Sequence, residues 1–283
     1  MILVADCGGS KYEIGLFDSD GNILEKRNGF LQLDLQSDFK FMDDIAQIAG
    51  SFKPSFLIIG IAGISRLTET YLTSFRKKIQ DKTEIENITF MSDVELLRWL
   101  MEENELGISI GTGSALIYNR KTESLTLGGL GFLFNDYLSG WWWFQKFFEV
   151  SMLHLEGRSL KLGFEQDFLQ MLSLHPDRKS LIKYVYHEPR NILSAHASKI
   201  LSEIPNNSWV IKTSEFGASQ LLENIEQFEI KSIYLQGGMV RHHSIIRNAV
   251  TEILSQKKIS SEIKMTDNLL LGGYRHWLKN QSL

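Results

Sequence analysis

The sequence predicts an α/β protein made of two related domains that face each other across a cleft. Two observations support this fold class. Residues 1–30 read as strand, glycine turn, strand, polar turn and strand, and residues 106–129 repeat the same order. Elsewhere, short apolar strands alternate with segments whose apolar residues recur at helical spacing. The repeated meander is therefore the basis of the two-domain prediction.

In the first half, "MILVAD" is typical of a buried strand that ends on a carboxylate, and "YEIGLFD" follows the glycine turn as a second strand. Asp20-Gly21 favours a tight turn into a third strand. Because a strand and not a helix follows the first glycine turn, the pattern argues against a dinucleotide-binding fold. The later predicted elements are a helix at 38–50, a strand at 55–63, a helix at 66–80, a strand at 87–93 and a helix at 94–102.

The second half begins with the repeated meander and continues into a helix-rich stretch, about 141–225, that the sequence does not divide clearly. A further strand at 230–240 ends in glycines, and a helix follows it. The segment "NLLLGGYRHWLKN" predicts a final helix at about 268–280. We expect an N-terminal domain at 1–106 and a C-terminal domain at 107–283, and the final helix is a candidate for packing back on the N-terminal domain.

Composition and charge restrict the class of function. The chain has 283 residues, enough for two domains, and a formal net charge of -4 with acidic and basic residues interspersed. No basic stripe is present, so we expect no nucleic-acid partner. The single cysteine, Cys7, excludes an internal disulfide and a four-cysteine metal site. The absence of a signal-peptide pattern and of a long apolar run predicts a cytoplasmic protein with no membrane partner.

The two glycine turns are candidates for holding phosphate. Glycines between antiparallel strands let backbone N–H groups approach an anion, and serine or threonine hydroxyls add donors. Asp6, at the end of the first strand, could hold Mg²⁺ through water. Tight hairpin turns without a ligand are the alternative, and neither turn has the Walker spacing. The candidate phosphate-binding residues are Gly8, Gly9, Ser10, Lys11, Gly111, Thr112, Gly113 and Ser114, with Gly237 and Gly238 as a third glycine pair.

These motifs together resemble the actin-like ATPase superfamily, and in particular the N-acetylglucosamine kinase / BadF-BadG-BcrA-BcrD ATPase family. "DCGGSK" stands where the family has an acidic-Gly-Gly-Gly-Thr phosphate loop, and "ISIGTGS" is close to its second phosphate loop. "GIAGISR", "GGLGFLFND", "LQGGMV" and "LLLGG" resemble further family segments, so the resemblance covers nearly the whole chain. It implies two actin-like, ribonuclease H-like domains facing a central nucleotide cleft, with ATP and Mg²⁺ as ligands.

Asp93 is the candidate catalytic residue. It ends a predicted strand and starts a helix, where its carboxylate could receive the proton of a sugar hydroxyl during phosphoryl transfer. The resemblance implies the same role, because the family's catalytic aspartate occupies this strand end. A helix N-cap is the alternative role, and the two roles can hold together.

The segment around Asp136 is the candidate acceptor site. Gly129, Leu130, Gly131 and Asp136 line up with the family's sugar-contact segment, in which backbone groups and an aspartate hydrogen-bond the sugar. Glycines permit close approach of a sugar ring, and a carboxylate can accept from two hydroxyls. A turn role for Asp136 and the asparagine before it is the alternative.

The chain departs from the family pattern at three places. After the first meander, "GFLQLDLQSDF" lacks the Asn-Pro pair that the family tends to have as a sugar contact. The family reads "GDEGSG" where this chain reads "NDYLSG", so Tyr137 and Leu138 stand at a glutamate and a glycine. This departure marks the segment as the place to look for an unusual acceptor. Cys7 stands at a loop glycine, which requires that its φ be negative.

The reading that follows is an ATP-dependent kinase that phosphorylates a hydroxyl of a small sugar, in particular an amino sugar such as N-acetylglucosamine. One alternative is a non-catalytic nucleotide- or sugar-binding regulatory protein on a kinase scaffold. Another is a BadF-type ATPase, but that branch holds an iron–sulfur cluster with cysteines, whereas Cys7 lies in a phosphate loop. The resemblance also makes a homodimer plausible.

Overall fold

A computed structural model gives the structure of the chain and describes residues 1–9, 11–31, 39–120, 123–134, 136–173, 176–266 and 268–281. The strands are β1 Ile2–Cys7, β2 Lys11–Phe17, β3 Ile23–Phe30, β4 Phe56–Ile61, β5 Asn87–Ser92, β6 Glu105–Ile110, β7 Ser114–Asn119, β8 Ser124–Gly128, β9 Ser232–Gln236 and β10 Glu262–Met265. The helices are α1 Phe39–Phe52, α2 Glu69–Thr83, α3 Asp93–Arg98, α4 Gly140–Leu155, α5 Glu165–Leu172, α6 Arg178–His187, α7 Arg190–Glu203, α8 Ser208–Leu221, α9 Gly238–His242, α10 Ser244–Gln256 and α11 Leu269–Gln281.

Two five-stranded sheets organise these elements. The first has the order β3-β2-β1-β4-β5, and the second has the order β10-β9-β6-β7-β8. Numbered within its own half of the chain, each sheet therefore has the order third, second, first, fourth and fifth strand. In the first sheet β1, β2 and β3 are antiparallel neighbours, and β4 and β5 continue parallel to β1. The predicted α/β class and the repeated meander are thus confirmed.

The chain divides into two compact units. The first comprises Met1–Gly107, Ile117–Leu125 and Thr266–Leu283, and the second comprises Ile108–Leu116 and Thr126–Met265. In the first unit the last helix, α11, packs on β1 and α3. None of the described helices has the length and apolar character needed to cross a lipid bilayer.

In the first unit, helices cover both faces of β1, because all residues from Ile2 to Ala5 are fully buried. Side chains alternate between the two faces of a strand. Leu3 and Ala5 belong to the core that includes Phe41 and Phe75, from α1 and α2. Val4 points to the other face, where a Cβ at Gly273 of α11 would overlap its side chain. Asp6 therefore belongs to the face that carries α11 and α3.

A glycine pair lets α11 approach its neighbours closely. A Cβ at Gly272 would overlap the carbonyl oxygen of Leu96 in α3, and one at Gly273 would overlap Val4. Tyr274 follows them and donates a hydrogen bond from its hydroxyl to the Ser19 carbonyl at 2.8 Å. The glycines of "LLLGG" are thus packing residues.

In the second unit, helices α4, α5 and α7 pack on one another, and α8 packs on α10. An aromatic core joins α4 to α8, because Trp143 lies 5.3 Å from the Phe147 ring and 6.3 Å from the Trp209 ring, between centroids. Trp142 and Trp143 are buried, and Trp141 is partly exposed. The three consecutive tryptophans therefore serve mainly as core residues at the start of α4.

Candidate functional site

The first glycine turn, Gly8–Lys11, connects β1 to β2. The Gly8 N–H donates to the Lys11 carbonyl at 2.9 Å, and the Ala62 N–H donates to the Cys7 carbonyl at 2.8 Å. Cys7 is the last residue of β1 and is extended, so it needs no glycine conformation. Lys11 is exposed, and its Nζ lies 5.8 Å from the Phe30 ring centroid. Gly9 forms a bend, and the predicted donor Ser10 lies outside the described residues.

Asp6 places a carboxylate with an unsatisfied oxygen at the end of β1. Its Oδ1 is buried and has no hydrogen-bond partner within the described ranges. Burial raises the pKa of Asp6 to about 8, and the negative charges of Asp93 and Glu13 add to the effect. A carboxylate in such surroundings is stabilised by a cation or by a proton. This arrangement is consistent with the predicted metal-binding role.

Asp93 begins α3 without being its cap. The cap is Ser92, whose Oγ accepts from the Glu95 N–H at 3.2 Å, while Glu95 accepts from the Ser92 N–H at 2.9 Å. This reciprocal capping box satisfies the first turn of the helix. The alternative interpretation of Asp93 as the N-cap is therefore wrong, and its carboxylate is available for another role.

The surroundings of Asp93 change the pKa of its carboxyl group. Burial raises the pKa of Asp93, although the backbone N–H groups of Val94 and of Asp93 itself, and the charge of Arg66, act in the opposite direction. A carboxylate whose pKa is raised is a stronger proton acceptor than one in water. Asp93 thus combines partial burial with the proton affinity that a general base needs.

The "GIAGISR" segment shapes the space beside Asp93. Gly60 is the β4 neighbour of Asp6, and a Cβ there would overlap Leu96 and lie 3.6 Å from the Asp93 Cα. Gly60 thus allows the start of α3 to lie close to the sheet. Gly63 has φ +70°, and the Arg66 guanidinium folds over it. The fold places the positive charge of Arg66 near Asp93.

The second glycine turn, Gly111–Ser114, connects β6 to β7. The Gly111 N–H donates to the Gly113 carbonyl at 2.8 Å. The first residues of α4 close on the turn, since the Gly140 N–H donates to the Gly111 carbonyl at 2.8 Å and the Trp141 N–H to the Thr112 carbonyl at 3.4 Å. Ser114 Oγ is buried and, among the residues described, has no hydrogen-bond partner. Buried hydroxyls normally have partners, so Ser114 is suited to receive a ligand.

Asp136 lies against the second glycine turn. The residue is buried, and its Oδ2 lies where a Cβ on Gly113 would be only 2.9 Å away. The glycine at position 113 therefore makes room for this carboxylate. The structure thus brings together the predicted acceptor residue Asp136 and the predicted phosphate-binding turn, which are separate features in the sequence.

A second predicted segment and another residue of the acceptor segment lie against the same turn. Gly237, after β9, has φ +107°, and a Cβ there would overlap the carbonyl of Ile110, the residue before the turn. Gly129 has φ +65°, and its Cβ would lie 2.9 Å from the Cβ of Ala115, the residue after the turn. Both positions require glycine. The second unit therefore brings two predicted segments, the acceptor segment and the glycine pair at 237–238, to the turn Gly111–Ser114.

The remaining predicted residues lie at the edges of this cluster. Gly238 starts α9 and has open space at its Cβ position. Gly131 has φ +89° and also faces open space. Leu130 is 70% exposed, so its side chain takes no part in the described packing. The backbone of Leu130 is the part that could contact an acceptor.

Glu13 near Asp6 and Arg66 near Asp93 were not among the residues predicted from the sequence. Glu13 is the cross-strand neighbour of Asp6 in β2. The alternation of β1 and β2 across a hairpin could have identified it, because directly opposed residues share a face. Arg66 could have been found only as a basic residue that closes a segment of small residues.

Mg²⁺ fits the Asp6 position. Among the described residues, no group of three or more His, Cys, Asp or Glu side chains is arranged to hold a metal ion. Mg²⁺ keeps several waters and is commonly held by one or two carboxylates together with substrate phosphates. The buried Oδ1 without a partner and the raised pKa of Asp6 therefore match a cation that arrives with phosphate.

Comparison with known proteins gives structural matches only. No family model and no curated protein matches the chain. A proposed N-acetylglucosamine kinase from Porphyromonas gingivalis has a TM-score of 0.77 at 17% identity, with 100% of each chain covered. A proposed N-acetylglucosamine kinase from Chromobacterium violaceum has a TM-score of 0.73 at 16% identity, over 97% of this chain and 98% of that one.

A third match is a ROK family glucokinase from Streptomyces griseus in complex with glucose and AMPPNP. Its TM-score is 0.57 at 13% identity, with 98% of each chain covered. These three matches span nearly the whole of each chain, so they concern both halves of the protein. The chain has the two-domain, actin-like fold of sugar kinases, and its place in the BadF-type family stays a prediction.

Proposed function

We propose that this protein transfers the γ-phosphoryl group of ATP to a hydroxyl group of a small sugar. The observation that carries the proposal is the pair of strand-end carboxylates in the first unit. Asp6 has a buried oxygen without a partner in the described part of the chain, and Asp93 is released from capping by Ser92. Phosphoryl transfer requires a metal-holding group and a base, and these two carboxylates are suited to those roles.

In this proposal Asp93 is the general base. Its carboxylate accepts the proton of the sugar hydroxyl as the sugar oxygen bonds to the γ-phosphorus. The bond from that phosphorus to the bridging oxygen of ADP breaks, and ADP leaves with the electron pair. The raised pKa of Asp93 supports the assignment, because a carboxylate with a higher pKa accepts a proton more readily.

The two glycine turns are assigned to the phosphates of ATP. Gly8, Gly9, Ser10 and Lys11 form one group, and Gly111–Ser114 form the other. The buried Ser114 Oγ supports the second assignment. Asp6 would hold Mg²⁺, which neutralises charge on the phosphates when bound. Gly237 and Gly238 are assigned to the nucleoside part of ATP.

The acceptor is assigned to the segment that contains Gly129, Leu130, Gly131 and Asp136. The carboxylate of Asp136 can accept from two sugar hydroxyls, and the glycines keep the nearby backbone accessible. Two of the structural matches are proposed N-acetylglucosamine kinases, and the third contains glucose. An amino sugar such as N-acetylglucosamine is therefore the first acceptor to test.

The test is ADP release from ATP and Mg²⁺ in the presence of single hexoses and N-acetylhexosamines. We expect at least one sugar to stimulate ADP release, and we expect Asp136→Asn to raise the KM for that sugar more than the KM for ATP. Thermal unfolding with ATP alone serves as the control for nucleotide binding. If ATP raises the Tm but no sugar stimulates release, the kinase proposal fails in favour of a binding protein.

A further inference from the structure

Leu138 has a backbone conformation that normally belongs to glycine. Its φ is +64°, and its side chain is fully buried. The Ser139 N–H donates to the Asp136 carbonyl at 3.1 Å, so Leu138 is the third residue of a tight turn that starts at Asp136. Turns with positive φ at this place usually carry glycine or asparagine. A leucine there needs a compensating interaction from its side chain.

Gly217 in α8 provides that interaction. A Cβ at Gly217 would lie 2.7 Å from Leu138 Cδ2 and 3.0 Å from Trp142 Cη2. Leu138 thus fills the space that a side chain at position 217 would occupy. Because Leu138 is fully buried, it has little freedom to move away from a larger neighbour.

A second contact ties the same turn to α8. The Tyr137 hydroxyl donates to Gln220 Oε1 at 3.4 Å, and the Tyr137 ring lies 6.4 Å from the Phe216 ring, between centroids. Phe216 and Gln220 are one helical turn apart and flank Gly217. The two residues that replace the glutamate and glycine of the related motif therefore both contact α8.

On its other side, the turn leads directly to the second glycine turn. Asp136 Oδ2 lies beside Gly113, and the Gly140 N–H donates to the Gly111 carbonyl. Leu138 lies midway between these two contacts in the chain. A displacement of Leu138 would therefore move the carboxylate and the start of α4 relative to Gly111–Ser114.

We propose that Leu138 and Gly217 form a positioning contact through which α8 holds Asp136 against the second glycine turn. Leu138 is a positioning residue, because it acts through Asp136. Its role in acceptor binding rests on the proposed function, whereas the mechanical link itself does not. Through this contact, helix α8 affects which acceptor fits beside Asp136.

The test compares Gly217→Ala, Leu138→Ala and the double variant that carries both substitutions. Hydrogen exchange of the amides at 111–114 and at Gly140 reports the link without any substrate. We expect faster exchange in each single variant, since one crowds the contact and the other empties it. The double variant returns toward the wild-type rate, because the smaller residue at 138 makes room for the new methyl group.

Gly50→Ala is the matched control, because Gly50 also lies inside a helix but faces open space. Unchanged exchange at 111–114 and Gly140 in both single variants would overturn the proposal. Leu138→Ala covers the case in which Gly217→Ala does not fold, since it removes the contact without a clash.

A kinetic measurement separates this proposal from the proposed function. For a sugar that the wild type phosphorylates, we expect Leu138→Ala to raise the sugar KM by about tenfold, the scale of one hydrogen bond to a charged group, with little change in kcat. A fall in kcat together with equal increases in the KM for the sugar and the KM for ATP would contradict a positioning role. Altered exchange without phosphorylation of any tested sugar would leave the positioning contact in place and count against the kinase.

Discussion

At the scale of single residues, the main feature is that Ser92 caps helix α3, so that Asp93 is not needed as the cap. Serine and aspartate can both cap a helix, but only Ser92 is followed three residues later by a glutamate, so the sequence pattern of a capping box already favours Ser92. The structure assigns the cap to Ser92, with Glu95 completing it. Asp93 is therefore half-buried near Asp6 without serving as the helix cap. Such an arrangement of perturbed carboxylates is typical of functional sites.

We predict that Asp93→Asn lowers turnover by about a hundredfold or more while ATP binding persists, because the amide cannot accept the proton. The matched variant is Ser92→Ala, which should lower the free energy of unfolding by about 1 kcal/mol through loss of the cap. Turnover should fall much less in Ser92→Ala than in Asp93→Asn. Near-normal turnover in Asp93→Asn would remove this residue from the mechanism.

Asp6 gives a prediction for stability against pH. Its pKa is raised in the folded state to about 8 from an ordinary value of 3.8. The unfolded chain therefore releases this proton at lower pH than the folded chain does, and the contribution of Asp6 to stability falls as pH rises from about 4 to about 8. We expect Asp6→Asn, measured with a metal chelator present, to raise the Tm at pH 8 by several degrees and to change it little near pH 4. A Tm difference between the two proteins that does not grow with pH would contradict a raised pKa of Asp6 in the folded, metal-free protein.

At the scale of elements, glycines determine how helices approach strands. In α11, Gly272 meets the Leu96 carbonyl and Gly273 meets Val4, so the helix lies directly on α3 and β1. The same helix α3 carries Asp93 at its first position. The packing of α11 therefore supports the element that presents the candidate base.

We predict that Gly272→Ala destabilises the protein by more than about 2 kcal/mol, because the added Cβ overlaps a backbone oxygen that cannot move alone. Gly50→Ala should be neutral or slightly stabilising, since alanine is the better helix former and the site is open. Chemical denaturation of both variants measures the difference. Equal stability of the two variants would show that α11 can shift without cost.

The element scale also shows how far the sequence could predict the structure. The meanders, β4, β5 and α11 were recognisable, because alternation and turn residues are local signals. The strand β10 was missed, since "EIKM" is short and its first and last residues are exposed. The start of α4 is apolar on nearly every side, so periodicity could not assign a buried face to its tryptophans.

At the candidate site, the sequence predicted which residues are present better than it predicted which residues they contact. Asp6, Gly111–Ser114 and Asp136 stood out, because chemistry and conformation restrict their types. The contact of Asp136 with Gly113 could not be predicted, because it joins residues separated by a whole strand pair. The fit of Leu138 on Gly217 joins positions still further apart and depends on the placement of α8. Contacts of this kind follow from the fold and not from local pattern.

At the scale of the whole molecule, the two sheets repeat one strand order, while the two units present different side chains near their glycine turns. The first unit has the strand-end carboxylates Asp6 and Asp93. The second has a glycine turn bordered by Asp136, Gly129 and Gly237. Each half of the chain thus has a glycine turn between its first two strands, and different residues surround the two turns.

The proposed sugar kinase activity is tested most directly by detecting the phosphorylated sugar itself with phosphorus NMR. Wild-type protein and Asp93→Asn are incubated with ATP, Mg²⁺ and each sugar in turn, starting with N-acetylglucosamine and glucose. We predict that the wild type forms sugar phosphate in equal amount to ADP, and that Asp93→Asn forms almost none over the same time. Formation of ADP and inorganic phosphate without any sugar phosphate would contradict this prediction and would identify the protein as an ATPase.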